Sequence, residues 1–123
     1  EEPKVLQRNV ISKDTSKELR ELLAYVVAGH KRYPGMSFSD KYQVGGKTGT
    51  AEIAKSGGGY REDLYNGTYM GFVGGDTAQY AIIVYNYEPH SYKGYAGVGT
   101  AQPVFAQIAH MLIDNYGVTP KTK

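Results

Sequence analysis

Tyr42-Gln43-Val44-Gly45-Gly46-Lys47-Thr48-Gly49-Thr50-Ala51 is the stretch on which the reading of this chain turns. It has the character of a strand, yet three glycines, a lysine and two threonine hydroxyls stand at its centre. Glycine inside a strand adds no side chain to packing and marks a place where another backbone or a ligand comes close. Side chains alternate along a strand, so Thr48 and Thr50 share one face while Lys47, Gly49 and Ala51 share the other. One face then offers two hydroxyls and the other an ammonium beside bare backbone, a combination suited to an anion. The expected ligand is a carboxylate or an oxyanion lying along this strand. A plainer reading stays open: a glycine-rich edge strand whose lysine blunts edge-to-edge pairing. A phosphate-binding P-loop does not. Gly46-Lys47-Thr48 has its closing residues, but Lys41 stands five places before Gly46 where a glycine is needed. No helical periodicity follows from Ala51 to Gly59 either.

On the N-terminal side, residues 4–11 read as a short strand or an extended lead-in, and a helix follows. Thr15 and Glu18 fit a capping box, with Ser12 and Asp14 as alternative caps. Leu19, Leu22, Leu23, Val26 and Val27 form an apolar stripe at helical spacing, expected to be core, and Gly29 is placed to end the helix. Residues 30–40, with Pro34-Gly35, read as a polar loop.

On the C-terminal side, the glycine-bearing strand is expected over about Tyr42 to Ile53, then a loop from Ala54 to Asn66 containing Ser56-Gly57-Gly58-Gly59. A second strand is expected over Gly67 to Gly74 and a third over Gln79 to Glu88, joined by the turn Gly75-Asp76-Thr77 into an antiparallel hairpin. The third strand is apolar on both faces, which predicts a central strand covered on two sides. After a Gly/Tyr loop over residues 89–99, a last helix is predicted from Thr100 to Tyr116, with Pro103 tolerated in its first turn and Gly117 and Pro120 stopping it. The fold class is α+β: an antiparallel sheet, three strands of it here, flanked by an N-terminal and a C-terminal helix.

The 123 residues make one domain or part of one, and 41% hydrophobic with 21% charged residues is ordinary globular composition. Net charge is +2 with no basic run longer than Lys31-Arg32, so the footprint of a nucleic-acid binder is missing. There is no cysteine and therefore no disulfide or thiolate chemistry. The longest strongly apolar run, Ala81-Ile82-Ile83-Val84, is far too short to span a membrane. His30, His90 and His110 lack ligand-like spacing, so no metal is expected. Nor is any cofactor expected. The chain opens on Glu1-Glu2-Pro3 without a methionine, and a processed product or a piece of a longer protein is expected. The tyrosines, twelve in all, are expected to pack from the strands with their hydroxyls at the rim.

Taken together, Gly46-Lys47-Thr48-Gly49-Thr50-Ala51, Gly59-Tyr60, Tyr69-Met70-Gly71-Phe72-Val73-Gly74 and Gln102-Pro103-Val104-Phe105 resemble the C-terminal half of a class B penicillin-binding protein transpeptidase domain. The Gly-Gly-Tyr loop and the closing Tyr116-Gly117-Val118-Thr119-Pro120 are most similar to the cell-division, septal type. The resemblance runs from about Val10 to Pro120, so residues 1–123 would be the C-terminal portion of one transpeptidase domain. It implies roles for particular positions. Lys47 would bind the substrate's terminal carboxylate and hold the serine of a Ser-x-Asn motif. The hydroxyls of Thr48 and Thr50 would contact that carboxylate, with Gly49 allowing close docking. The backbone N–H of Thr50 would supply half of an oxyanion hole. The implied partners are a peptidoglycan stem peptide, β-lactams, the rest of the transpeptidase domain and, through the parent, divisome proteins. The implied location is the extracytoplasmic face of the bacterial cytoplasmic membrane.

One departure limits what this chain can do by itself. Three places after Ser12, Ser16, Ser37, Ser39, Ser56 and Ser91 stand Thr15, Leu19, Asp40, Tyr42, Gly59 and Gly94, so no Ser-x-x-Lys is present. No serine has asparagine two places on. Without an activated nucleophile no acyl-enzyme forms, and the chain alone is expected to be inactive. Two alternatives remain at this stage: a non-catalytic interaction module with the same fold, and a fragment of a serine β-lactamase or β-lactam sensor.

Overall fold

The computed structural model describes residues 4–90 and 97–122. Residues 91–96, which hold most of the expected second Gly/Tyr loop, lie outside the described residues. The element order is α1 (Lys13–Gly29), β1 (Gln43–Ala54), β2 (Tyr60–Gly74), β3 (Ala78–Asn86), a π-helical turn η1 (Gly97–Ala101) and α2 (Gln102–Asn115). The strands form one antiparallel sheet in the order β1-β2-β3, and the α+β reading holds.

Ser12 caps α1: its side chain accepts a hydrogen bond from the Thr15 N–H, satisfying one of the helix's unpaired donors. The cap is therefore Ser12, and Thr15 is the residue it serves. Gly29 stays inside the helix and His30 is the C-cap. The apolar stripe is only partly core. Val27 is buried, but Leu22 is 64% and Leu19 48% exposed. Residues 4–11 form no strand and are exposed.

The glycines of β1 decide how the layers meet. A Cβ on Gly45 would run into the Phe72 ring and lie 3.0 Å from the Ala24 backbone nitrogen, which puts α1 on that face. A Cβ on Gly46 would run into the Tyr69 ring, and one on its cross-strand partner Gly71 would lie 2.7 Å from the Phe105 ring, which puts α2 on the other. A helix thus packs on each face of the sheet, α1 mainly over β1, and the core lies mostly on the α2 side: Val44, Tyr69, Val73, Ile82 and Val84 pack against Phe105, Ala106 and Ala109. Tyr69 is fully buried and stacks on Phe105, centroids 4.3 Å apart, so its hydroxyl is in the core and not at the rim.

Two boundaries and the place of the central strand differ from expectation. The long loop shrinks to residues 55–59, because β2 begins at Tyr60 and pairs with β1 out to Ala54↔Tyr60. That two-stranded ribbon projects beyond β3, turning at Gly57, Gly58 and Gly59, all with positive φ. The central strand is β2, not β3. Of β3, Ile82 and Val84 are buried while Ile83 is 71% and Tyr85 56% exposed, so its second apolar face stands open among the described residues. The last helix starts at Gln102, its N-terminal turn wound as η1 instead. After α2, Gly117 takes a left-handed conformation (φ 65°) that turns the chain back. The tail then crosses the β2–β3 turn: Gln79 and Thr119 exchange two hydrogen bonds, Thr122 donates to the Asp76 carboxylate, and the Lys121 N–H donates to Lys41 O at 2.8 Å.

Candidate active site wall

Lys47, Thr48, Gly49 and Thr50 lie in mid-β1, opposite Met70, Tyr69, Thr68 and Gly67 of β2. Pairing to β2 leaves the other edge of β1 unpaired among the described strands, and Lys47 and Thr50 are exposed there, Thr48 half-buried. The Lys47 ammonium turns back onto its neighbour, donating to Thr48 Oγ1 and Thr48 O, both at 3.2 Å. Lysine and hydroxyl thus form one cluster, although alternation starts them from opposite faces; the four-carbon stem is long enough to reach round.

The second hydroxyl is held from another part of the chain. The Gly97 N–H, at the start of η1, donates to Thr50 Oγ1 at 3.4 Å. A Cβ on Gly97 would stand 2.5 Å from Gly49 O and 3.2 Å from Thr48 Cβ, so η1 rests directly on this segment of β1. The close approach expected of Gly49 therefore comes from the chain's own backbone. On its side-chain face, the space of Gly49 is taken by the cross-strand Thr68 side chain.

His30, the C-cap of α1, lies near enough to Lys47 to feel its charge. Burial holds its pKa below the ordinary imidazole value, and the positive charges of Lys47 and Arg32 add to the effect. His30 Nδ1 is buried and unpartnered among the described residues. Sequence spacing singled out neither Gly97 nor His30. Gly97 is 47 residues from Thr50 and only the fold brings them together; the spacing of His30 bears only on metal binding. No group of three metal-binding side chains occurs among the described residues. A shallow cleft between α1 and residues 36–44, lined by Val27, Met36, Phe38 and Val44, contains none of the site residues.

Lys47, Thr48, Gly49 and Thr50 thus lie together along an open edge of the sheet. The penicillin binding protein transpeptidase domain matches residues 1–110, and the chain belongs to that family. It is 33% identical to stage V sporulation protein D of Bacillus subtilis over 118 residues, covering 95% of this chain and 18% of that protein. It is also 33% identical to a probable peptidoglycan D,D-transpeptidase, PenA of Neisseria flavescens, covering 92% of this chain and 28% of that one. Among solved structures, penicillin-binding protein 3 of Mycobacterium tuberculosis, complexed with ampicillin, superposes with a TM-score of 0.69 at 30% identity, over 98% of this chain and 28% of that one. The chain thus spans less than a third of the length of these relatives.

Proposed function

We propose that this chain is the carboxylate-binding wall of a peptidoglycan D,D-transpeptidase whose nucleophilic serine lies outside it. The observation that carries the reading is the Lys47 ammonium 3.2 Å from Thr48 Oγ1, on a strand that also presents Thr50, in a chain of the transpeptidase family. Lys47 and the two hydroxyls bind the terminal carboxylate of a D-Ala–D-Ala stem peptide. The N–H of Thr50 and the nucleophile's own N–H hold the oxyanion of the tetrahedral intermediate. Serine Oγ forms an ester with the penultimate D-alanine carbonyl as the peptide bond to the last D-alanine breaks. That D-alanine leaves with the proton, and an amine of a neighbouring stem then displaces the serine. A β-lactam enters as a mimic of the donor. The chain alone is inactive, because it holds no Ser-x-x-Lys. The parent works at the extracytoplasmic face of the cytoplasmic membrane with division partners.

The test is labelling by a fluorescent penicillin of the full-length parent, of the parent carrying Thr50→Pro, and of residues 1–123 alone. Only the unmodified parent should label. Proline deletes the N–H, and removing an oxyanion donor costs about 10²–10³ in rate. A folded parent that never labels points instead to a non-catalytic interaction module. Labelling of the chain alone refutes the placement of the nucleophile outside it.

A further inference from the structure

We infer that Gly97 is a positioning residue for substrate recognition, its N–H fixing the Thr50 hydroxyl as a hydrogen-bond donor toward the substrate carboxylate. The inference rests on the carboxylate-binding reading above and adds to it a residue and a direction. A threonine hydroxyl has one proton to donate and two lone pairs to accept with. A rotating hydroxyl presents itself to a ligand either way and so discriminates weakly between an anion and a neutral group. Here Thr50 Oγ1 accepts from the Gly97 N–H at 3.4 Å. A backbone N–H accepts nothing in return, so the Thr50 proton must point away from Gly97. Thr48 Oγ1 is in the same condition, accepting from the Lys47 ammonium at 3.2 Å. Both hydroxyls of the wall are committed as acceptors to groups within the protein and are left to donate outward.

The absence of a side chain at position 97 makes this arrangement reachable. With a Cβ 2.5 Å from Gly49 O and 3.2 Å from Thr48 Cβ, any other residue pushes the η1 turn away from β1, which is held in place by its pairing with β2. That movement lengthens a hydrogen bond that at 3.4 Å is already longer than usual. The same glycine that lets the turn sit down therefore delivers the donor. Its effect is felt only by a ligand group that accepts from Thr50. A free carboxylate gains a charge-assisted bond, whereas a carboxyl ester presents a weaker acceptor and no charge.

The experiment measures second-order acylation rates of the full-length parent with benzylpenicillin and with its methyl ester, and reads the acid-to-ester ratio. Gly97→Ala should lower the ratio about tenfold or more, a loss in keeping with hydrogen bonds to charged groups. It should leave the ester rate within about twofold, a range of only a few tenths of a kcal/mol. Thr50→Ser should keep the ratio and Thr50→Val should lose it. Gly97→Ala placed in the Thr50→Val background should change it no further. A ratio untouched by Gly97→Ala, an equal fall of both rates, or additive losses in the double variant each overturn the inference. A wild-type ratio near one would instead refute the carboxylate-binding reading beneath it. Amide exchange supplies a measurement that needs no change at Gly97. The Gly97 N–H should be protected in the wild type and in Thr50→Ser, and exchange faster in Thr50→Val; equal protection in all three overturns the proposal.

Discussion

The ring of Tyr69 fills the space that a side chain on Gly46 would need, so the residue before Lys47 is glycine because of the core and not because of the ligand. Tyr69 is itself fixed from behind by Phe105, its ring stacked 4.3 Å from centroid to centroid and 30° from parallel. Gly46→Ala should therefore destabilise the domain by about 1–3 kcal/mol, the usual cost of overpacking. In a Tyr69→Ala background the same change should cost far less, because the ring it collides with is gone. Urea unfolding of the four proteins gives the coupling directly. Additive losses would show that the two residues do not share that space.

Removing only the Tyr69 hydroxyl should act differently. The oxygen is buried without a partner among the described residues, and burial pushes the phenol pKa from about 10 to about 12. Between those values the unfolded chain releases the proton and the folded one keeps it, so stability is intact below about pH 10 and falls as pH rises toward 12. Tyr69→Phe abolishes that loss and the desolvation cost of the hydroxyl. It should unfold at higher pH than the wild type and be no less stable at neutrality. Alkaline unfolding followed by circular dichroism checks this; a lower midpoint for Tyr69→Phe would mean that the hydroxyl is bonded in solution.

How much of this was legible beforehand depended on the range of the interaction. The strand character of β1, the Gly75-Asp76-Thr77 turn and both helices rest on local periodicity and turn chemistry, and the structure has them. The cap on Ser12 was one of several equivalent local choices that only geometry separates. The sequence places Tyr60 to Asn66 in the loop that contains Ser56-Gly57-Gly58-Gly59, yet these residues belong to β2. Their strand state comes from pairing with β1 in a ribbon that projects into solvent. The apolar pattern of β3 predicts a central strand covered on both sides, but β2 is central and Ile83 and Tyr85 stand exposed, because which strand lies central is a property of the whole sheet. In the site, the adjacent pair Lys47 and Thr48 could be read from the sequence, whereas Gly97 and His30 arrive from distant segments and leave no periodic trace.

The open face of the sheet makes a prediction about residues 1–123 on their own. Met70 pairs with Ile83, and Tyr85 lies two residues further along the same face; they are 63%, 71% and 56% exposed. Contiguous apolar surface of this kind drives association. The isolated chain should self-associate with rising concentration in sedimentation velocity, and Ile83→Lys with Met70→Gln should reduce that association. A monodisperse, cooperatively unfolding monomer at all concentrations would show that this face is tolerated in water.

Lys47 carries the most direct prediction for activity. Its ammonium has three donors and spends two contacts on Thr48, so at least one N–H direction remains for a ligand. A hydrogen bond from a charged donor to a carboxylate contributes about 1.5–3 kcal/mol, and each 1.36 kcal/mol is a factor of ten in rate. Lys47→Ala in the full-length parent should slow acylation by a penicillin by about 10–100-fold. It removes in the same step the donor that holds the Thr48 hydroxyl. Lys47→Arg keeps the charge but replaces a compact ammonium with a rigid planar fork, which cannot make the same turn onto Thr48 Oγ1; it should rescue only part of the loss. Because Lys47 is exposed, part of its attraction is screened, and added salt should slow the wild type more than Lys47→Ala. Equal rates for wild type and Lys47→Ala at low salt would remove the lysine from substrate binding, and with it the reason to read β1 as the carboxylate wall.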